Sequence, residues 1–510
     1  MKILRLVLGD QLNYRHSWFQ QRDEYTVYLL MEIRQEATYV KHHIQKLTAF
    51  FMAMRHFKSF LEENGHRVIY LKLDDPANKQ NLTKNIQTII QQENVELFEY
   101  LLPDEYRVDL ELKSLKESLS IPGVEYETEH FYTQRYEVED FFASKKGYLM
   151  EYFYRSMRKK HQLLLTPEGK PLKDKWNFDQ ENRNKLPTGK EPPAPYLFKN
   201  PAQDILKMIH TEQIPFIGSM PSDQLMWPVN RSQSLELLQY FLHHMLPYFG
   251  TFQDAMHTDY WSLYHSRLSF SINSKMLSPA EVLRETLAYW EKNRQISITQ
   301  VEGFIRQIIG WREYMRGMYW HLMPGMEKMN HFSLSNKLPQ FYWTGDTKMN
   351  CLHHAIRQSL EKAYAHHIQR LMITGNFALL AQTDPQEVDH WYLGIYIDAI
   401  QWVELPNTRG MSQFAEGGII ATKPYISTAN YIHNMSNYCK DCFYNFKVKV
   451  GENACPFNSL YWKFLEDQRD LLQNNPRMKF MYRQWDKKDS PEKQSILKQA
   501  THYLNHLDTL

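Results

Sequence analysis

Cys439-Lys440-Asp441-Cys442, followed by Cys455-Pro456, holds three of the only four cysteines in 510 residues; the fourth, Cys351, lies far upstream. Four thiolates are the ligand set of one tetrahedral zinc or one cubane iron–sulfur cluster. A distant fourth ligand suits a site that staples two parts of one domain together. A Cys-Pro step also occurs in bacterial cluster motifs. Four unrelated buried thiols are the plain alternative, since free cysteine packs as a small hydrophobe, but random scatter seldom clusters three of four. A thioredoxin-like Cys-x-x-Cys would need a surrounding βαβ pattern, and none is present. Spacing alone leaves zinc and iron–sulfur both open.

Outward from these cysteines the chain reads as helical back to about residue 230. Segments 233–245, 279–292, 298–322, 350–374 and 385–402 each repeat apolar residues at helical spacing. In the third, Val301, Phe304, Ile305, Ile308, Ile309, Met315 and Leu322 mark a buried stripe, with Arg306, Gln307, Arg312 and Glu313 beside it. Arginine is seldom buried without a partner, so this stripe points either to a polar ligand or to salt-bridged core arginines.

Residues 1 to about 130 have a different grammar. Ile3–Leu8, Tyr25–Ile33, Arg67–Leu73, Val95–Leu102 and a stretch near Val124–Thr128 read as strands. Between them, Ile44, Leu47, Phe50, Phe51, Met54, Phe57 and Leu61 mark a helix, and residues 81–92 and 105–119 two more. Alternation of this kind predicts a parallel sheet, whose ligands sit beyond the carboxyl ends of its strands. Gly9-Asp10-Gln11-Leu12 is the candidate loop, and no G-x-G-x-x-G accompanies it. Residues 131–230 read as a connector. Its helix Glu151–Lys160 ends in a basic run, and residues 166–200 are rich in Pro, Gly and Lys. Such a run is either a solvated face or a set of phosphate contacts.

Composition sets the outer limits. The chain exceeds one ordinary domain, and 43% hydrophobic content supports a sizeable core. The net charge of +2 confines any nucleic-acid surface to a local patch. No apolar run approaches the ~20 residues of a membrane span. The start, Met1-Lys-Ile-Leu-Arg5, enters a strand with no signal-peptide pattern. A cytoplasmic chain is expected, where paired cysteines serve metals more often than disulfides.

Several stretches resemble the cryptochrome/photolyase family, most closely its iron–sulfur bacterial branch, whose repair members are prokaryotic (6-4) photolyases. They are Gly9-Asp10-Gln11-Leu12, Met150–Arg155, Trp176-Asn-Phe-Asp179, Ser266–Phe270, Phe304–Tyr314, His366-His367, Trp391-Tyr392 and Asp398–Asn407, closed by the four cysteines. The motifs are weak singly and specific in their order. The resemblance covers essentially the whole chain. It implies an α/β antenna-binding domain (1–130), an interdomain connector (131–230) and an all-helical FAD-binding catalytic domain (231–510).

The resemblance also implies a [4Fe–4S] cluster on Cys351, Cys439, Cys442 and Cys455. For FAD it implies Tyr264, Ser266, Arg267, Leu268 and Ser269 on the phosphate side, where hydroxyls, loop amides and an arginine fork suit a pyrophosphate. The alternative for the serines is capping of helix 279–292. Gln307, Arg312, Arg370 and Asp398 fall on flavin-side positions, and Glu404 and Asn407 near flavin N5. Many photolyases carry a plain Asn there, so the N5 partner stays open between the two. His366 and His367 match the branch's active-site histidines, with His367 the expected proton donor. Trp343, Trp391 and Tyr392 match its photoreduction relay. Asp10, Glu32 and Glu36 would contact a 6,7-dimethyl-8-ribityllumazine antenna. Tyr425 and Tyr431 would meet the lesion, and Arg155, Arg158, Lys159, Lys160 and Arg183 the DNA phosphates.

The activity implied is light-driven repair of (6-4) photoproducts in damaged DNA by a monomer. Two alternatives within the family are a blue-light-sensing cryptochrome without repair and a cyclobutane pyrimidine dimer photolyase. A third reading, from another class, is a metal-stapled DNA-binding protein without photochemistry.

Overall fold

The alternating segment folds as its periodicity requires. In the computed structural model, which describes residues 1–510, five strands form one sheet: Ile3–Leu6 (β1), Thr26–Met31 (β2), Arg67–Leu71 (β3), Leu97–Leu101 (β4) and Gly123–Tyr126 (β5). Their order is β3-β2-β1-β4-β5 and all neighbours are parallel, with Leu4 opposite both Val27 and Phe98. Every residue of β2 is buried, which explains why it reads as an unbroken apolar run. The strand order reverses between β1 and β4. A crevice therefore opens at their carboxyl ends, the usual ligand position in such sheets. Helix Ile44–Glu63 packs Leu47, Phe51, Met54, Phe57 and Leu61 inward, and His43 caps it by accepting from the Gln45 amide.

The stretch read as a surface connector is anchored at both ends. Phe142, Phe153, Tyr154 and Phe178 enter the core of the helical half, and Ile205, Met208, Ile209 and Trp227 join a core containing Leu47 and Phe57. Between them, residues 183–199 form neither helix nor strand. No helix is long and apolar enough to cross a membrane.

The rest is helical, but three expected helices are interrupted. The segment 298–322 consists of Ile298–Ile305 and Glu313–Leu322 joined by a π-helical stretch, Arg306–Arg312. The segment 350–374 breaks after Lys362. There Ala363 takes a left-handed backbone (φ 52°), its amide donating to Ser359 O. Helix resumes at His367, so His366 and His367 stand at a helix start rather than within a long helix. The segment 385–402 likewise stops at Ile395 and restarts as Gln401–Leu405. Apolar spacing carries across each break because the residues on both sides face the same core. Further π-helical turns occupy Phe241–Met245, Arg370–Gly375 and Pro406–Ser412. Such turns are rare and concentrate at functional sites. Three of the four carry Gln307, Arg312, Arg370 and Asn407.

Candidate functional site

The polar centre of the helical half is Arg370. Its Nη2 donates to both Asp398 oxygens at 2.9 and 3.1 Å, its Nε donates to Ala365 O at 2.7 Å, and its Nη1 lies 3.7 Å from Glu404. The guanidinium sits 3.8 Å from the centre of the Tyr396 ring. Glu404 is buried and accepts from Thr408 Oγ1 at 2.7 Å; burial pushes its carboxyl up, against the opposing pull of Arg370. Asn407 turns its amide back to Val403 O at 2.7 Å. Of the two N5 candidates, Glu404 is the one in charge contact with the Arg370–Asp398 pair.

His366 is buried and neither of its ring nitrogens has a partner. Its ring stacks on His265, centroids 4.5 Å apart and planes 12° apart. Burial, then the neighbouring His265, His367 and Arg370, holds the His366 imidazole well below its ordinary range. Burial, then Arg370, lowers His367 to about 4. Both shifts favour the neutral imidazole.

Trp391 is fully buried, donates to Tyr342 O at 3.0 Å, and lies 5.4 Å from the Tyr392 ring. The Tyr392 hydroxyl donates to Arg370 O at 2.6 Å, which joins this aromatic group directly to the polar centre. Trp343 is half-buried beside Tyr342 and makes no ring contact with Trp391.

On the proposed phosphate side, Tyr264 is buried against Phe252 (5.4 Å between centroids). Arg267 takes a left-handed backbone (φ 56°) and its Nη2 donates to Tyr196 O at 2.6 Å. Leu268 precedes helix Ser269–Asn273, and the Ser266 hydroxyl accepts from the Leu268 amide. Helix Pro279–Lys292 is capped by Ser278, so the capping role weighed for Ser266 and Ser269 belongs to another residue. Gln307 is half-buried. Arg312 is clasped between Phe131 and Trp402, 4.7 Å from each ring centre, with Nε and Nη1 unpartnered. Asn273 links it to the centre, accepting from Arg312 at 3.4 Å and donating to Asp398 O at 2.7 Å.

A cavity of about 160 Å³ opens at the carboxyl ends of β1, β2 and β4. Leu8, Phe50, Phe51 and Met54 give it apolar walls, and Asp10, Glu32 and Glu36 all line it. Each of these carboxylates has a cation: Lys275 for Asp10, Arg55 for Glu32 and Arg107 for Glu36. Glu32 is fully engaged, accepting from Arg55, Tyr70 Oη and the Leu73 amide. Among the residues lining this cavity, His42 Nδ1 and Asp104 Oδ1 are buried without a hydrogen-bond partner. A cleft with apolar walls and convergent polar groups is the pattern of a small-molecule site.

Cys351, Cys439, Cys442 and Cys455 are all free thiols and line one apolar cavity with Met349, Ile432, Tyr438 and Phe457. Burial pushes the Cys439 thiol up to about 11 and those of Cys351 and Cys455 higher still. No three His, Cys, Asp or Glu side chains close to the spacing a single metal ion requires. Four thiols around one cavity are the ligand type of a zinc ion or an iron–sulfur cluster alike.

A family model for deoxyribodipyrimidine photo-lyase-related proteins matches residues 5–225. A (6-4) photolyase from Agrobacterium fabrum is 41% identical over 511 residues, covering 100% of both chains. The chain belongs to the cryptochrome/photolyase family. Solved structures agree on its fold. A bacterial class III photolyase from Agrobacterium tumefaciens superposes with TM-score 0.53 at 15% identity, covering 85% of this chain and 86% of its own. A Synechocystis cryptochrome gives 0.56 at 14%, covering 92% and 93%.

Within this photolyase-family fold, one of the expected phosphate ligands needs correction. Arg158 is fully buried, donating to Leu163 O, Leu164 O and Trp176 O at 3.1, 2.5 and 2.7 Å; it pins the connector and cannot reach DNA. Arg155 pairs with Glu151, Lys160 with Glu137 and Arg183 with Asp179. Lys159 is exposed, 5.5 Å from the centre of the Trp176 ring. Tyr425 and Tyr431 are half-buried beside Arg183 and Asp254. Two residues of this neighbourhood escaped the sequence reading. His265 immediately precedes the Ser266–Phe270 motif, yet only its stack on His366 marks it. Asp254, whose carboxyl burial lifts to about 6, carries no local signal at all.

Proposed function

We propose that the protein is a light-driven DNA repair enzyme acting on (6-4) photoproducts. The end-to-end 41% identity with a (6-4) photolyase carries this reading. The unpartnered Arg312 nitrogens and the buried Arg370–Asp398–Glu404 group suit a large polar ring system, so FAD fits the helical half. Tyr264, Ser266, Arg267, Leu268 and Ser269 would hold its phosphate side, with Gln307, Arg312, Arg370, Asp398, Glu404 and Asn407 around the ring. FAD, bound in reduced form, supplies the electron that light drives onto the lesion. Arg370 favours an anionic ring beside it, and Glu404, pushed toward its neutral form, can offer a hydrogen bond.

His367, with His366 beside it, handles the proton that the (6-4) rearrangement moves. The free pocket keeps His367 neutral, so it becomes an acid only when a bound anion raises its proton affinity. Trp343, Trp391 and Tyr392 carry electrons inward to the polar centre. The four cysteines bind a [4Fe–4S] cluster that holds the C-terminal loop to helix Asn350–Lys362. The cavity beyond β1 and β4 takes a 6,7-dimethyl-8-ribityllumazine antenna. Residues 1–130, 131–230 and 231–510 serve as antenna domain, connector and catalytic domain.

The test is repair of duplexes carrying one (6-4) or one cyclobutane lesion under blue light. Repair of the first alone, lost in His367→Ala while FAD stays bound, is the expected result. Repair of neither, by photoreducible protein, would leave light sensing as the activity; repair of the cyclobutane lesion alone would reassign the substrate.

A further inference from the structure

With Arg158 buried, and Arg155, Lys160 and Arg183 each facing a carboxylate, Lys159 is the one expected phosphate ligand that is exposed without such a partner. Helix Lys479–Asp486 provides a different set of cations. Tyr482 and Trp485 bury its inner side, Trp485 stacking on Trp462 at 5.2 Å. Lys479, Arg483 and Lys487 follow at four-residue steps, so they form one outward stripe; all three are exposed. The neighbouring acids Glu466 and Asp486 pair with Arg469, and Glu492 with Lys488, leaving the stripe uncompensated.

The stripe leads toward Tyr425, an expected lesion contact, through one pinned turn. Asn475 Nδ2 donates to Thr422 O at 3.0 Å while its Oδ1 accepts from the Arg477 amide at 2.9 Å. That side chain therefore fixes Arg477 against the loop carrying Lys423 and Tyr425. Burial, then the charges of Arg477 and Arg183, lowers Lys423, which places its ammonium near both guanidiniums. A row of like charges held at this spacing opposes folding unless a polyanion binds it.

We propose that Lys423, Arg477, Lys479, Arg483 and Lys487 form the surface that tracks the DNA phosphate backbone away from the flipped lesion. This rests on the DNA-repair reading and adds the residues that position the duplex. Their contacts are sequence-independent, so they set affinity and register rather than lesion choice.

The experiment is fluorescence anisotropy of damaged and undamaged duplexes with the full-length holoprotein between 50 and 200 mM KCl. In Lys479→Gln/Arg483→Gln/Lys487→Gln, the slope of log affinity against log salt should fall by about 2–3, since each phosphate contact contributes roughly 0.9. Affinity should drop by the same factor on both duplexes, with lesion preference and the flavin spectrum unchanged. Asn475→Ala, which frees Arg477 without removing charge, should lower the slope by about 1. An unchanged slope in the triple variant overturns the proposal. So does an equal fall in Lys72→Gln/Lys84→Gln, which removes exposed charge elsewhere. Unvaried protein that binds undamaged duplex with the full slope but shows no lesion preference would overturn the repair reading and leave this surface standing.

Discussion

Lys275 ties the helical half to the loops that follow β1 and β4. It follows helix Ser269–Asn273, yet its ammonium reaches into the sheet, donating to Asp104 Oδ2 at 2.6 Å, Asp10 O at 2.8 Å and Asp10 Oδ2 at 3.3 Å. Its side chain is 1% exposed, and so is that of Asp104. The two carboxylates respond oppositely. Burial raises Asp10 despite Lys275, whereas Lys275 and Arg316 together outweigh burial at Asp104 and lower it. The nearer acid keeps the charge. Lys275→Met preserves volume and leaves the left-handed backbone (φ 66°) no more strained than before. It leaves Asp10 without its cation and Asp104 with Arg316, 3.8 Å away, and the more distant Arg135.

Removing one partner of a buried ion pair costs about 3–5 kcal/mol. With a denaturant slope of about 3 kcal/mol/M, the urea midpoint should fall by ~1–1.7 M at neutral pH. The sign of the pH dependence follows. In the variant both acids have folded-state pKa values above their unfolded ones, so protonation favours the folded state. The penalty is largest above pH 7 and shrinks as pH falls toward 4. Urea unfolding of holoprotein at pH 5 and pH 8 measures it. A midpoint unchanged at pH 8, or a loss equal at both values, would refute the argument.

Cys351→Ser should cut iron content to well under half and lower thermal stability, because cluster ligation needs all four thiolates; iron analysis of anaerobically purified protein checks it, and full iron with unaltered melting would remove the structural role. Trp391→Phe, which also deletes the bond to Tyr342 O, should slow flavin photoreduction at least tenfold while sparing repair by chemically reduced enzyme; transient absorption decides. Asp254, raised to about 6 by burial, stabilises the fold below its unfolded pKa and loses that contribution as pH rises through 6. Asp254→Asn should therefore be more stable than the unvaried protein by about 1–2 kcal/mol at pH 7.5, after discounting for partial exposure, with the gain vanishing near pH 4.

The sheet was legible because β2 is buried on both faces and its neighbours are short apolar runs between helical repeats. The cysteines were legible because three of four cluster in the chain, and all four meet around one cavity. The helix breaks were not, since a left-handed Ala363 and π-helical turns have no distinctive composition. Apolar spacing simply continues across them. Arg158 misled for a related reason. Its basic neighbours suggest a solvent-facing run, but three carbonyl acceptors arrive only when the connector folds back over it. His265 and Asp254 depend on tertiary approach alone. Lys479, Arg483 and Lys487 have helical spacing in the sequence, but that their carboxylate neighbours are engaged elsewhere is visible only in three dimensions.

One segment ties the two proposed chromophore sites together. Ala399 and Ile400 line the cavity beyond the sheet, while Asp398 and Glu404, on either side of them, face Arg370. Lys46 crosses from the cavity wall to this segment, its ammonium donating to Leu393 O at 2.8 Å and Ala399 O at 2.7 Å. Burial lowers it to about 8 against the pull of Glu105, Glu404 and Asp398. Its only carboxylate company is thus drawn from both sites. Glu105 completes the brace by accepting from the Gln401 amide at 3.1 Å. Lys46→Met should therefore perturb both the cavity it lines and the charges of Asp398 and Glu404 that act on its ammonium.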